Sequence, residues 1–192
     1  VDAHCREGKT KDGLVGRELR GKTVGLVGTG AIGARVAELF AAFGCRVLAA
    51  NDHSRKPSTA LITYLPLAEL LPQVDILSLH CPLNEGTRGL IGAQALSRIK
   101  RGAILINAAR GPVVDTAALA EALHSGQLGG AGIDVFETEP PLPTDHPLLH
   151  TPNTIVTPHV AFATKESMEK RADIVFRSLQ LWLQGEQINK VL

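Results

Sequence analysis

Along the 192-residue chain, short apolar runs recur between Gly, Pro, Asn and Asp punctuation: residues 23–28 (TVGLVG), 45–50 (CRVLAA), 74–80 (VDILSLH), 103–107 (AILIN), 130–136 (GAGIDVF) and 154–158 (TIVTP). Within each run the apolar positions are mostly contiguous and do not alternate with polar ones. That is the pattern of a strand buried on both faces. Segments with helical spacing fall between them, at residues 32–44, 66–71, 93–99 and 115–126, and the last two end in basic or Gly stops. Regular alternation of strand and helix predicts an α/β fold, a doubly wound parallel sheet with helices on both faces.

Both ends depart from this rhythm. Residues 1–20 are polar, charged and Gly-bearing, and read as a connecting arm ahead of a domain spanning 21–163. From Thr164 to about Leu183 a helix is predicted, with Thr164 as N-cap and Met168, Ala172, Val175, Leu179 and Trp182 at steps of four and three residues. Such a stripe must be covered. The reading set first is packing on this domain; the alternative is a surface for a partner subunit or for a further domain.

Composition narrows the class. Hydrophobic residues make up 44% and charged residues 20%, with a formal net charge of +1, which leaves no basic excess for a run of phosphates. No nucleic-acid partner is expected. No apolar run approaches the roughly 20 residues that cross a bilayer, and the opening VDAHCREGKTKDG has no signal-peptide pattern. A cytoplasmic protein without a membrane partner is therefore expected. Cys5, Cys45 and Cys81 form no C-x-x-C pair, and the seven His residues form no H-x-x-H or H-E-x-x-H group, so reduced thiols and no metal are expected.

The most informative local motif is Gly28-Thr29-Gly30-Ala31-Ile32-Gly33, directly after the first strand and opening the first long helix. In that context Gly28 permits a tight turn, Gly30 admits a pyrophosphate close to the backbone, and Gly33 lets helix pack on strand. The amides of Ala31 and Ile32 then face the phosphates. An acidic residue about 20 positions on usually holds the adenosine ribose. Here Asn51 occupies that place, Asp52 follows, and Arg55 and Lys56 lie just beyond. NAD is the expected cofactor, because Asp52 turned inward would repel a 2′-phosphate; NADP is the alternative.

Three further segments put a titratable or charged residue just past an apolar strand: Arg110 in AILINAARGPVVD, Asp134 and Glu139 in GIDVFETEPP, and His159 in TIVTPHVA. In an open parallel sheet those carboxyl ends share one crevice. Guanidinium suits oxygen anions because its rigid fork presents paired donors. Imidazole exchanges a proton near neutrality.

The run of motifs, from GRELRGKTVGLVGTGAIG through HCPLNEGTRGLI, INAARGPVVD, GAGIDVFETEP and TPHVAFAT, resembles the NAD(P)-dependent D-isomer-specific 2-hydroxyacid dehydrogenases over residues 13–192. The resemblance implies that Arg110 binds the carbonyl and carboxylate of a small 2-keto acid, that His159 is the acid/base and that Glu139 is its carboxylate partner. It also implies that Asp134 orients the nicotinamide carboxamide, that Cys81-Pro82 and Ala108-Ala109 line the cofactor, that His159 adjoins it, and that the protein is a homodimer. Family members carry a separate substrate domain, formed largely by residues preceding the dinucleotide domain, which is expected to be largely absent from this sequence. Phe162, three residues after His159, is read as narrowing the pocket towards a small acid. Two rivals share the pattern. Corepressor-like relatives bind the dinucleotide without turnover, and formate dehydrogenases resemble it with glutamine where Glu139 stands.

Overall fold

The computed structural model describes residues 2–50 and 56–189. Seven strands, β1 (Thr23–Val27), β2 (Arg46–Ala50), β3 (Ile62–Leu65), β4 (Ile76–Leu79), β5 (Ala103–Asn107), β6 (Leu128–Ile133) and β7 (Thr154–Val156), form one sheet in the order β3-β2-β1-β4-β5-β6-β7. Every neighbouring pair is parallel. The strand order reverses between β1 and β4, so a crevice opens there at the carboxyl ends.

Among the described residues six α-helices accompany the sheet: α1 (Asp2–Arg6), α2 (Ala31–Ala42), α3 (Leu67–Leu70), α4 (Ala93–Arg98), α5 (Thr116–His124) and α6 (Lys165–Leu183). Leu48, Leu77, Leu79 and Leu105 on one sheet face pack with Leu70, Leu96, Leu119 and Leu123 of α3, α4 and α5. On the other face Val24, Leu26, Val47 and Ile76 pack with Ala37, Val36 and Phe40 of α2. Helices lie on both faces as expected, and the second face is covered on the α2 side. Beyond β4 it leaves Ile104 44% and Ile155 74% exposed.

The sequence reading passed over β3. Its four residues, Ile-Thr-Tyr-Leu, lie on an edge strand where only Ile62 is buried, so the long apolar run of a central strand is missing. β6 runs from Leu128 to Ile133, earlier than the expected 130–136. Gly129 is needed inside the strand, since a Cβ there would lie 2.5 Å from the Gly102 carbonyl oxygen.

α6 begins where expected. The Thr164 side chain accepts from the Ser167 amide and the Ser167 hydroxyl accepts from the Thr164 amide, a reciprocal cap. Packing of its stripe on this domain is not found: none of its residues is buried, and Met168, Val175, Leu179 and Trp182 are 46–59% exposed. No helix among the described residues is long and apolar enough to cross a membrane.

Candidate active site

The crevice is shaped first by backbone. After β1, Gly28 turns with φ +98°, and a Cβ there would stand 2.7 Å from the His80 carbonyl carbon and oxygen, so the crest of β1 can meet the crest of β4 only through glycine. A Cβ on Gly33 would lie 2.1 Å from the Gly28 carbonyl oxygen, which fixes the first turn of α2 against the loop. Gly30 caps α2 without a side-chain hydrogen bond and faces open space. Exposed Ala31 and Ile32 follow at the helix start. Uncapped amides at a helix N-terminus with room in front of them suit a phosphate group.

Beside this loop lies a cleft of about 430 Å³, lined by Gly28, Thr29, Ala50, Leu67, Cys81, Pro82, Asn84, Thr87 and others. Three expected cofactor residues, Gly28, Cys81 and Pro82, line it. Thr29, Ala50 and Thr87 were not foreseen. The Lys56 ammonium donates to the Thr29 carbonyl (2.8 Å) and the Tyr64 hydroxyl to Thr29 Oγ1 (3.0 Å). The Thr87 hydroxyl donates to the Pro82 carbonyl (2.6 Å) and accepts from the Asn84 amide (2.9 Å), so it sets the Pro82 turn. Burial pushes the Cys81 thiol up and the His80 imidazole down, leaving both neutral near pH 7. Asn51, Asp52 and Arg55 lie outside the described residues.

The titratable residues stand at the ends of β5, β6 and β7, three adjacent strands. His159 follows β7 in a left-handed backbone conformation (φ 57°), which costs a non-glycine residue about 1–3 kcal/mol unless its surroundings impose it. Here they do. The His159 amide donates to the Asp134 carbonyl (2.8 Å), while buried Asp134 accepts from the Thr157 hydroxyl (2.6 Å), the Val160 amide (2.8 Å) and the Ala161 amide (2.9 Å). Burial of Asp134 opposes its ionisation, but these donors and the nearby His159 together hold its carboxyl below the usual range. Both carboxylate oxygens are thus engaged with the loop that carries His159.

His159 Nδ1 meets Glu139 Oε1 at 3.0 Å and Oε2 at 2.9 Å. Its other ring nitrogen has no hydrogen bond to any described residue. The Phe162 ring stands edge-on to the imidazole at 5.7 Å. The pairing foreseen for these two residues is therefore present in space although they lie 20 positions apart.

Arg110 follows β5, exposed, with its guanidinium donating to the Ala109 carbonyl at 2.6 Å. It makes no hydrogen bond or ion pair with His159 or Glu139. Exposed Ala108 and buried Ala109 complete this turn. Asn107, 1% exposed at the end of β5, was missed, although a polar residue closing an otherwise apolar run was a readable signal.

Comparison with known proteins fits this geometry. Residues 1–161 match the family model for the D-isomer specific 2-hydroxyacid dehydrogenase, NAD binding domain. The chain belongs to the D-isomer specific 2-hydroxyacid dehydrogenase family. The matched 2-hydroxyacid dehydrogenase model is an NAD-binding domain, which makes NAD the cofactor of this domain. A glyoxylate reductase of Korarchaeum cryptofilum is 42% identical over 97% of this chain and 58% of its own length. A D-lactate dehydrogenase solved with NAD+ from Lactobacillus jensenii superposes with TM-score 0.86 at 38% identity, over 100% of this chain and 62% of that one. An acyclic imino acid reductase solved with NADPH and D-Arg gives TM-score 0.89 at 32% identity, covering 100% of this chain and 61% of that one. The chain thus spans about three-fifths of these members' lengths.

Proposed function

We propose that this domain, within its full polypeptide, transfers hydride between NADH and a small 2-keto acid to give a D-2-hydroxy acid. The observation that carries the reading is the His159–Glu139 pair, with both carboxylate oxygens on Nδ1 and Nε2 left for a substrate. When bound, NADH would supply the hydride from its nicotinamide ring. Gly28, Gly30 and Gly33 with the amides of Ala31 and Ile32 would seat the pyrophosphate, and Asn51 and Asp52 are assigned to the adenosine ribose from their place in the sequence. Cys81 and Pro82, which line the cleft, would hold the nicotinamide end of the cofactor together with Ala108 and Ala109. The Arg110 guanidinium, seated on the Ala109 carbonyl through Nη1, binds the keto-acid carboxylate and carbonyl with its remaining donors. His159 Nε2–H donates its proton to the carbonyl oxygen as that oxygen becomes a hydroxyl, and Glu139 on Nδ1 fixes the ring's orientation. In oxidation His159 takes the proton back.

In this reading the uncovered stripe of α6 is buried by the rest of the polypeptide or by a second copy in a homodimer. The intact acid/base pair favours turnover over a corepressor role. The test is NADH oxidation by the full polypeptide with glyoxylate, hydroxypyruvate and pyruvate, read by absorbance. Turnover with at least one acid is expected. Failure with all three and with longer 2-keto acids would overturn the proposal.

A further inference from the structure

We infer that Asn107 is a positioning residue for Arg110, and that the two form one substrate-binding unit with the peptide of Ala109. The inference rests on the site reading above, in which Arg110 takes the keto-acid carboxylate.

Three hydrogen bonds close a ring at the end of β5. Asn107 Oδ1 accepts from the Ala109 amide at 3.1 Å, and Asn107 Nδ2 donates to the Arg110 carbonyl at 3.0 Å. The Arg110 guanidinium donates to the Ala109 carbonyl at 2.6 Å. The first two bonds hold the 108–109 and 110–111 peptide groups, which bracket the α-carbons of Ala109 and Arg110. The third sets where the guanidinium rests. Position is therefore passed from a side chain 1% exposed, locked in the sheet, to one that is exposed.

The demand on residue 107 is for an acceptor and a donor on one planar group. Aspartate has nearly the same shape but, ionised, only accepts, so it would keep the Ala109 bond and set a negative oxygen against the Arg110 carbonyl. Leucine matches the volume and offers neither. The backbone carbonyl of Asn107 also accepts from the Asp134 amide at 2.9 Å. The residue that holds Arg110 is thereby joined to the residue that holds the His159 loop, and the three strand ends keep one geometry.

A merely structural asparagine would lose stability when replaced and would weaken cofactor and substrate alike. A positioning residue acts through Arg110. The experiment uses the full polypeptide with Asn107→Asp, Arg110→Ala and the double variant, measuring kcat and KM for a turned-over 2-keto acid, NADH affinity by fluorescence, and Tm. Asn107→Asp should lower kcat/KM about 10- to 100-fold, mainly through KM, as displacement of a substrate-orienting group by an ångström does. NADH affinity should change less than about twofold, and in the Arg110→Ala background the same substitution should cost less than about threefold, since coupled residues are not additive. If Asn107→Asp does not fold, Asn107→Ser, which keeps a hydroxyl able to accept and donate in turn, carries the same comparison. Retained keto-acid kinetics in the Asn107 variants, or a full multiplicative loss in the double variant, overturns the inference. Normal keto-acid kinetics in Arg110→Ala removes the substrate-binding role of Arg110, and with it the unit inferred here. An Arg110 defect with a silent Asn107 rejects the coupling alone.

Discussion

At the β1–β4 crossover the chain is shaped for a ligand almost entirely by backbone: a positive φ at Gly28, a contact at Gly33 too close for any Cβ, and uncapped helix amides. At the crests of β5, β6 and β7 it is shaped by buried side chains. There Asn107 and Asp134 hold the loops that present Arg110 and His159. On the proposed function, the difference follows from what each end would hold. A pyrophosphate is large, doubly charged and satisfied by any ring of amides, so shape suffices. A proton donor must keep one nitrogen on one trajectory, which needs a fixed rotamer and a fixed partner.

Four substitutions in the full polypeptide test that contrast, from the largest expected effect to the smallest. His159→Ala should lower kcat by about 10²–10⁴-fold with NADH affinity unchanged within about twofold, because proton transfer is lost and the cradle is untouched. Single-turnover kinetics with parallel NADH titration would show it, and equal damage to both quantities would mean that the two ends are not separable. Gly33→Ala should act the other way round. With its Cβ 2.1 Å from the Gly28 carbonyl oxygen, α2 must shift, weakening NADH about tenfold or more and costing about 1–3 kcal/mol of stability.

Asp134→Asn should cost about 1–3 kcal/mol near neutral pH, since a charged acceptor of three donors becomes a neutral one with fewer lone pairs to offer. Its pH dependence has a definite sign. In the folded chain the Asp134 carboxyl ionises below its ordinary value, so on the acid side the unfolded chain binds more protons. Its stabilisation is fully present above the unfolded pKa of about 4 and is lost as the pH falls through the lower folded value. Tm measured from pH 7 to pH 3 should therefore show the variant's deficit shrinking as the solution is acidified. A deficit independent of pH would mean that the charge is not what holds the His159 loop. Lys56→Ala is the mild case: its bond to Thr29 supports a loop already fixed by backbone, and NADH affinity should change less than about threefold. A larger loss, measured by fluorescence titration, would show that the cradle depends on a side chain after all.

Much of this was readable in the residues. The six apolar runs fall on six of the seven strands, and the Gly28–Gly33 motif lies where strand β1 passes into α2. The Thr164 cap was legible because capping is a local matter of four residues. β3 was not, since an edge strand with one buried residue has no pattern that marks it out. The receiver of the α6 stripe stayed open between this domain and a partner for a related reason: periodicity shows that a helix has an apolar face but not which surface receives it.

The order and type of elements, the glycine turn and the presence of a guanidinium, an imidazole and a carboxylate just past strand ends were determined by sequence alone, because each depends on residues within a few positions of one another. That Glu139 turns both oxygens to His159 Nδ1, that Asp134 is spent on three donors of the His159 loop, and that Asn107 ties down the Arg110 turn were decided only by tertiary structure. Two of these three contacts join residues more than a dozen positions apart. Those two depend on the pitch and register of neighbouring strands, which no single segment contains, whereas the Asn107 contacts span only three positions.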